Sequence, residues 1–524
     1  MRTLYFGGPI VTMEDTLYTD AVLVENGTIL AAGARDDLRK LAGDCTEVDL
    51  QGRTMLPGFI DPHSHIFQVA VSFLRVSFDG ATETEDMAAR VRAFIEKNHI
   101  APGQVIAARD YDNNIMPDLA NPTLAQLDAI APQNPLIVHH KSGHMGLLNS
   151  AALALAGITD DTPSPEGGKI EKKDGKLTGY LEENAFFTVI QKLPMAGQDQ
   201  LLDAFEDAQK QYASYGITTV QDGMVAKPML GLYGLLLEQK KLWLDVYLSS
   251  GTDTYDDTQA LLAKFPDNGK LHSGGLKIFL DGSPQGRTAW MRTPYEGSPD
   301  YCGYGTMTDE AVENAFRMAA QKHTQIIAHC NGDGAAAQFL RCMEKVQKEY
   351  PELKELRPVI IHGQLLDRDQ LPLARKLGAF VSFFVGHVYH WGDVHIRNFG
   401  LERASRISPA RSAMESGINV TFHQDSPVIL SDMLETLWCA TNRITKNGVV
   451  LGEDERISTL DALKAVTVNA ARQYSLEDRI GSIAPGKAAD FVILDRNPLE
   501  VPAKDLREIQ ILETVKGGLT VYRK

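Results

Sequence analysis

Along the chain, short apolar runs alternate with helical stretches, and most runs end in a polar residue. The run Met55-Leu56-Pro57-Gly58-Phe59-Ile60 reads as a buried strand leading into Asp61-Pro62-His63-Ser64-His65. Taking that strand as Phe59–His65, the pattern predicts seven more at Thr218–Asp222, Trp243–Ser249, Leu276–Asp281, Gln325–His329, Val359–His362, Phe380–Phe384 and Asn419–Asp425. Strands alternating with helices predict βαβ units and a parallel sheet. Eight such units predict an α/β fold, a (β/α)₈ TIM barrel over residues 58–480, with its site at the C-terminal strand ends.

Two further patterns add to the barrel. Near the start, two apolar runs flank Asn26-Gly27, a pair that supports the positive φ values of a hairpin turn. Near the end, Ala489–Asp495 and Gly518–Tyr522 are short strand-like runs after the turn-rich Ala484-Pro485-Gly486-Lys487. Residues 1–57 and 481–524 are therefore expected to form one small β-sandwich domain. Between His65 and the second strand lie about 150 residues, far more than an ordinary crossover needs. This insert has its own strands (Gln104–Arg109, Pro135–His140) and helices (Glu85–Lys97, Thr123–Ile130, Asp199–Tyr215). Residues from about 68 to 200 are expected to be a lid subdomain over the barrel mouth that brings His144 towards the site.

Composition narrows the function. A net charge of −16 argues against nucleic acid or an anionic membrane as partner. No apolar run is long enough to cross a bilayer or to serve as a signal-peptide core. Cys45, Cys302, Cys330, Cys342 and Cys439 are odd in number and lack CxxC spacing, which argues against a disulfide framework or a cysteine zinc site. A reducing cytoplasm is expected, and a homodimer is compatible with the chain.

The polar strand ends carry the chemistry. His63 and His65, two apart on a strand, would share a face and make half of a metal site. Lys277 sits inside the apolar Leu276–Leu280, although lysine is almost never buried without a partner or a task. One strand-end histidine is more often structural than a ligand. Here His329 and His362 end successive strands, and Asp425 ends the eighth. After the seventh strand, Phe383–Asp393 offers aromatic rings, Trp391 among them, with His387 or His390 to meet an oxyanion.

Nine motifs occur in order: Leu56–His65, Ser142-Gly143-His144 with Asn149–Leu153, Gly216–Asp222, Lys277–Ser283, His329–Asp333, His362-Gly363-Gln364, Trp391-Gly392-Asp393, His423–Val428 and Gly486–Val492. The set resembles the amidohydrolase superfamily of metal-dependent hydrolases, and within it the branch of N-substituted formamide deformylases. The resemblance implies one divalent cation on His63 and His65 and a second on His329 and His362. It implies a CO₂-derived carbamate on Lys277 bridging them, with Asp425 as a ligand to the first and as proton shuttle. Zinc is the expected metal, and members of the superfamily differ in using one or two ions. His144 matches a position that the family places near the site. His139, His140, Lys141, Glu182, Glu183, Asn184, Arg287, Tyr301 and Arg397 are weaker contact candidates. The implied reaction is hydrolysis of a non-peptide C–N bond in a small-molecule amide. Deamination of a ring C=N and a non-catalytic, metal-binding regulatory protein are the alternatives. The bridging lysine counts against the first, and the intact ligand set against the second.

Overall fold

The computed structural model describes residues 2–140, 145–190, 192 and 197–524. They form two compact units, one of residues 1–69 with 206–524 and one of residues 70–205.

The first unit contains β1 (Phe59–Asp61), β2 (Ile217–Val225), β3 (Asp245–Ser250), β4 (Leu271–Phe279), β5 (Ile326–Cys330), β6 (Val359–His362), β7 (Phe380–Phe383) and β8 (Val420–Phe422). They lie side by side in chain order, all parallel, in a nearly closed barrel. Parallel strands are covered on both faces, which is why β6 reads Val-Ile-Ile-His with every residue buried. At the seam the His65 N–H donates to the Ser426 carbonyl at 2.9 Å.

Four strands, β1, β4, β7 and β8, end earlier than expected, and two of these shifts move candidate ligands off the strands. β1 stops at Asp61, because Pro62 has no N–H with which to continue the ladder. β8 stops at Phe422. His63, His65 and Asp425 therefore stand on the turns just past strand ends, and strand alternation does not aim them.

β4 needs a device to aim Lys277. Opposite β3, Leu248 pairs with Ser273 and Ser250 with Leu276, so β4 takes one extra residue. This bulge falls at Gly274-Gly275 and turns the second half of the strand. Gly275 has φ +82°, and a Cβ there would lie 2.2 Å from the Gln325 carbonyl oxygen. Gly275→Ala is expected to cost ~2 kcal/mol or more, combining left-handed strain with a backbone clash. Denaturant unfolding measures it, and an unchanged midpoint would contradict this role for the bulge.

Strands from the two chain ends share one continuous sheet, joined where Thr54–Pro57 pairs antiparallel with Phe491–Leu494. Ile10, Val22, Met55, Phe491 and Val515 pack together on it. The Asn26-Gly27 hairpin is present, with φ 50° and 82°. Lys516 ties this sheet to β3, its Nζ 2.6 Å from Asp245 and 2.7 Å from Asp490.

The second unit is built on a six-stranded sheet. Its order is Gly168–Lys173, Lys176–Glu183, Met145–Leu148, Leu136–His140, Ile106–Tyr111 and Arg75–Ser77. Helices Thr84–Asn98 and Leu124–Ile130 pack on it, the second opened by a Thr123/Gln126 capping box. Lys141 and His144 lie outside the described residues. No described helix is long and apolar enough to cross a membrane.

Candidate metal centre

His63 is fully buried, and its Nδ1 lies 2.6 Å from Gln221 Oε1. An amide oxygen only accepts, so Nδ1 carries the proton and the Nε2 lone pair faces the barrel axis. His65 Nε2 and His63 Nε2 lie 3.2 and 3.4 Å from Asp425 Oδ1. That oxygen is buried yet makes no aligned hydrogen bond. Three lone-pair atoms thus share one point without bonding pairwise, the arrangement a cation satisfies. They are the one such group among the described residues.

Lys277 continues the cluster. It is 1% exposed, and its Nζ lies 3.4 Å from His63 Nε2. Burial brings its amine from 10.5 down to about 8. Beyond it, His329 Nδ1 and His362 Nε2 face each other at 2.9 Å. Two of the expected ligand residues adopt left-handed backbone conformations, His362 with φ 71° and Asp425 with φ 55°. Such strain in a non-glycine residue persists only where the surroundings over-determine it, commonly at functional sites.

The charges suit a cation. Burial pushes the imidazoles of His63 and His362 well below their ordinary value and brings His329 to about 4. All three are neutral at pH 7, as metal ligands must be. Burial also pulls on His65, but the Asp425 carboxylate beside it outweighs this and holds His65 above its usual value. Burial acts upward on Asp425, and the imidazoles of His65, His362 and His63 overcome it, keeping the carboxylate ionised. The donor set of three neutral imidazoles, a fourth paired with the Asp425 carboxylate, and a buried amine fits divalent metal.

Residues 46–522 match the model of the amidohydrolase family. The chain belongs to that family. The N-substituted formamide deformylase of Arthrobacter pascens is 29% identical over 96% of this chain and 95% of its own. Protein LONG AFTER FAR-RED 3 of Arabidopsis thaliana is 29% identical over 99% of this chain and 91% of its own. An uncharacterized metal-dependent hydrolase from Pyrococcus horikoshii OT3 has the same fold, with TM-score 0.80 over 96% of this chain and 99% of that one at 24% identity.

Around the centre of this amidohydrolase, the helix His387–Ala404 supplies an aromatic wall. Phe384 sits 5.5 Å from the His423 ring, and His387 and Trp391 pack on Phe384 at 4.6 and 5.9 Å. His387 is buried, with Nδ1 3.1 Å from His395 Nε2. His390 is drawn away to Glu435, at 2.8 Å. Of the weaker candidates, Arg287 is spent on the Glu296 carbonyl and Ser298, and Glu182 accepts from Tyr180. His139 and His140 end the strand Leu136–His140 of the second unit.

Sequence reasoning missed three residues. Gln221 fixes His63; it lies within the Gly216–Asp222 motif, but as one of several polar residues in Ile217–Val225 it carries no mark of that role. Asp281 accepts N–H groups from Trp290, Asn331 and Gly332 at 2.7–2.9 Å, pinning the loop after β4 to the turn that follows His329. Burial raises it to about 7. His423 packs against His362.

Proposed function

We propose that this chain is a metal-dependent amidohydrolase that hydrolyses a non-peptide C–N bond in a small amide, with N-formyl and N-acyl amines the leading class. The observation that carries this is the meeting of His63 Nε2, His65 Nε2 and Asp425 Oδ1 at one point without mutual hydrogen bonds. The deformylase relative supports the substrate class.

His63, His65 and Asp425 would hold one divalent cation, and His329 with His362 a second. Zinc is the favoured metal, supplying Lewis acidity and an acidified water when bound. Lys277, in its neutral amine form, would add CO₂ and release a proton, and the resulting carbamate would supply anionic oxygen ligands to the cations. Asp425 accepts the proton of the attacking water and delivers it to the departing nitrogen. His63 and His362 are buried, while His65, His329 and Asp425 keep part of their surface open, so substrate approaches from their side. Phe384, His387 and Trp391 wall the substrate pocket, with His390 behind them, and His144 is proposed as a contact from the insert.

The test is an assay of metal-depleted protein on N-formyl, N-acyl and cyclic amides, with adenosine-like ring substrates alongside. Amine release that returns on adding zinc is the expected result. Ammonia release from the ring substrates alone would replace this reading with deamination.

A further inference from the structure

The two halves of the centre are supported by different chemistry. Behind His63 stands the Gln221 carbonyl oxygen, which accepts and cannot donate along that contact. Behind His362 stands a second imidazole. His362 Nδ1 lies 3.0 Å from His423 Nε2, and His423 Nδ1 lies 2.8 Å from Ser382 Oγ. His423 and Ser382 are fully buried. At the other end, His329 Nε2 lies 3.2 Å from the Gly282 carbonyl oxygen and 2.9 Å from Asn331 Nδ2.

Every link in this chain has a direction, and the directions are coupled. The Gly282 carbonyl only accepts and the Asn331 amide nitrogen only donates, so His329 has two tautomers open to it; in the one whose Nε2–H donates to Gly282, Nδ1 of His329 keeps its lone pair. Two arrangements then remain for the rest. In one, Ser382 donates to His423, His423 to His362, and Nε2–H of His362 donates to His329 Nδ1. The space between His329 and His362 is then filled by a proton. In the other, Nδ1–H of His362 donates to His423 Nε2, and Nδ1–H of His423 donates to Ser382 Oγ. Both His329 Nδ1 and His362 Nε2 then present lone pairs to the same point. The hydroxyl of Ser382 can serve in either role.

We propose that His423, set by Ser382, is a positioning residue that holds His362 with its Nε2 lone pair towards the His329/His362 position. This rests on the metal-centre reading of the site. It also distinguishes the two positions. The amide behind His63 permits only the ligating tautomer, whereas the imidazole behind His362 permits both. Support of this kind for a ligating histidine is typically worth ~10–100-fold in metal affinity. The His329/His362 position should therefore be the one that is lost first when the support is removed.

The experiment is metal stoichiometry and affinity, read by elemental analysis after equilibration in zinc-buffered solutions, on the wild type, His423→Leu, His423→Gln and Ser382→Ala. Wild type is expected to bind two equivalents. His423→Leu removes the acceptor and should weaken one equivalent by ~10–100-fold while sparing the other. His423→Gln offers an acceptor oxygen and should recover most of that loss. Ser382→Ala, a change of one atom that threatens folding least, should weaken the same equivalent by less. Two equivalents of unchanged affinity in both His423→Leu and Ser382→Ala would overturn the proposal. Equal weakening of both equivalents would also overturn it, because the effect would then be general. A wild type that binds no metal would instead refute the underlying reading of the centre, an outcome distinct from either.

Discussion

Asp425→Asn is expected to lower kcat by at least ~10²–10⁴-fold while much of the metal stays bound. The amide keeps an oxygen where Oδ1 meets His63 and His65, so ligation weakens without vanishing. It cannot accept the proton of the attacking water. The wild-type carboxylate is suited to that task, being ionised in spite of burial through the surrounding imidazoles. Asp222 and Asp281 are poorer candidates. Asp222 accepts from the Tyr233 hydroxyl at 2.6 Å, and Asp281 is occupied by three backbone N–H groups. Turnover on the best amide found by screening, with metal content measured alongside, checks this. Near-normal kcat at full occupancy would move the shuttle elsewhere.

Lys277→Met has opposite effects on the metal-free and metal-loaded proteins. Loaded, it should lose at least one metal equivalent together with turnover, because no carbamate can form. Metal-free and in CO₂-free buffer, it should be the more stable protein at pH 7. The buried amine has its value lowered from 10.5 to about 8. Below pH 8 both folded and unfolded lysines are charged, and the folded state bears the full penalty, ~3 kcal/mol. Between pH 8 and 10.5 the folded amine is neutral while the unfolded one is charged, so wild-type stability rises with pH. The gap between variant and wild type should be complete at pH 7 and shrink through that window. Denaturant melts at pH 7 and pH 10.5 measure it. A metal-free variant less stable than wild type at pH 7 would show that Lys277 holds the fold together, contrary to the role given it here.

The barrel was legible because strands covered on both faces must be largely apolar, as Val359–Ile361 is, and Val359–His362 matches the expected boundaries residue for residue. Strand ends were less legible. Pro62 ends β1 two residues before the first histidine of the pair, so the i, i+2 spacing works on a turn where alternation does not apply. In the insert, Arg75–Ser77 is three residues long, and the lysine-rich hairpin Gly168–Lys173 with Lys176–Glu183 has no apolar alternation to mark it. The residues converging on the centre are visible as polar ends of apolar runs. Their supports are not, since Gln221 reaches His63 across 158 positions and Ser382 reaches His423 across 41. Only the closed barrel brings such pairs together.

The most direct test of the account is the crystal structure of zinc-loaded protein grown with bicarbonate, with anomalous scattering recorded at the zinc edge. The account predicts one peak among His63, His65 and Asp425, a second between His329 and His362, and branched density on Lys277 Nζ reaching both. An unmodified lysine turned away from a fully occupied site, or zinc peaks elsewhere with none among these residues, would contradict it.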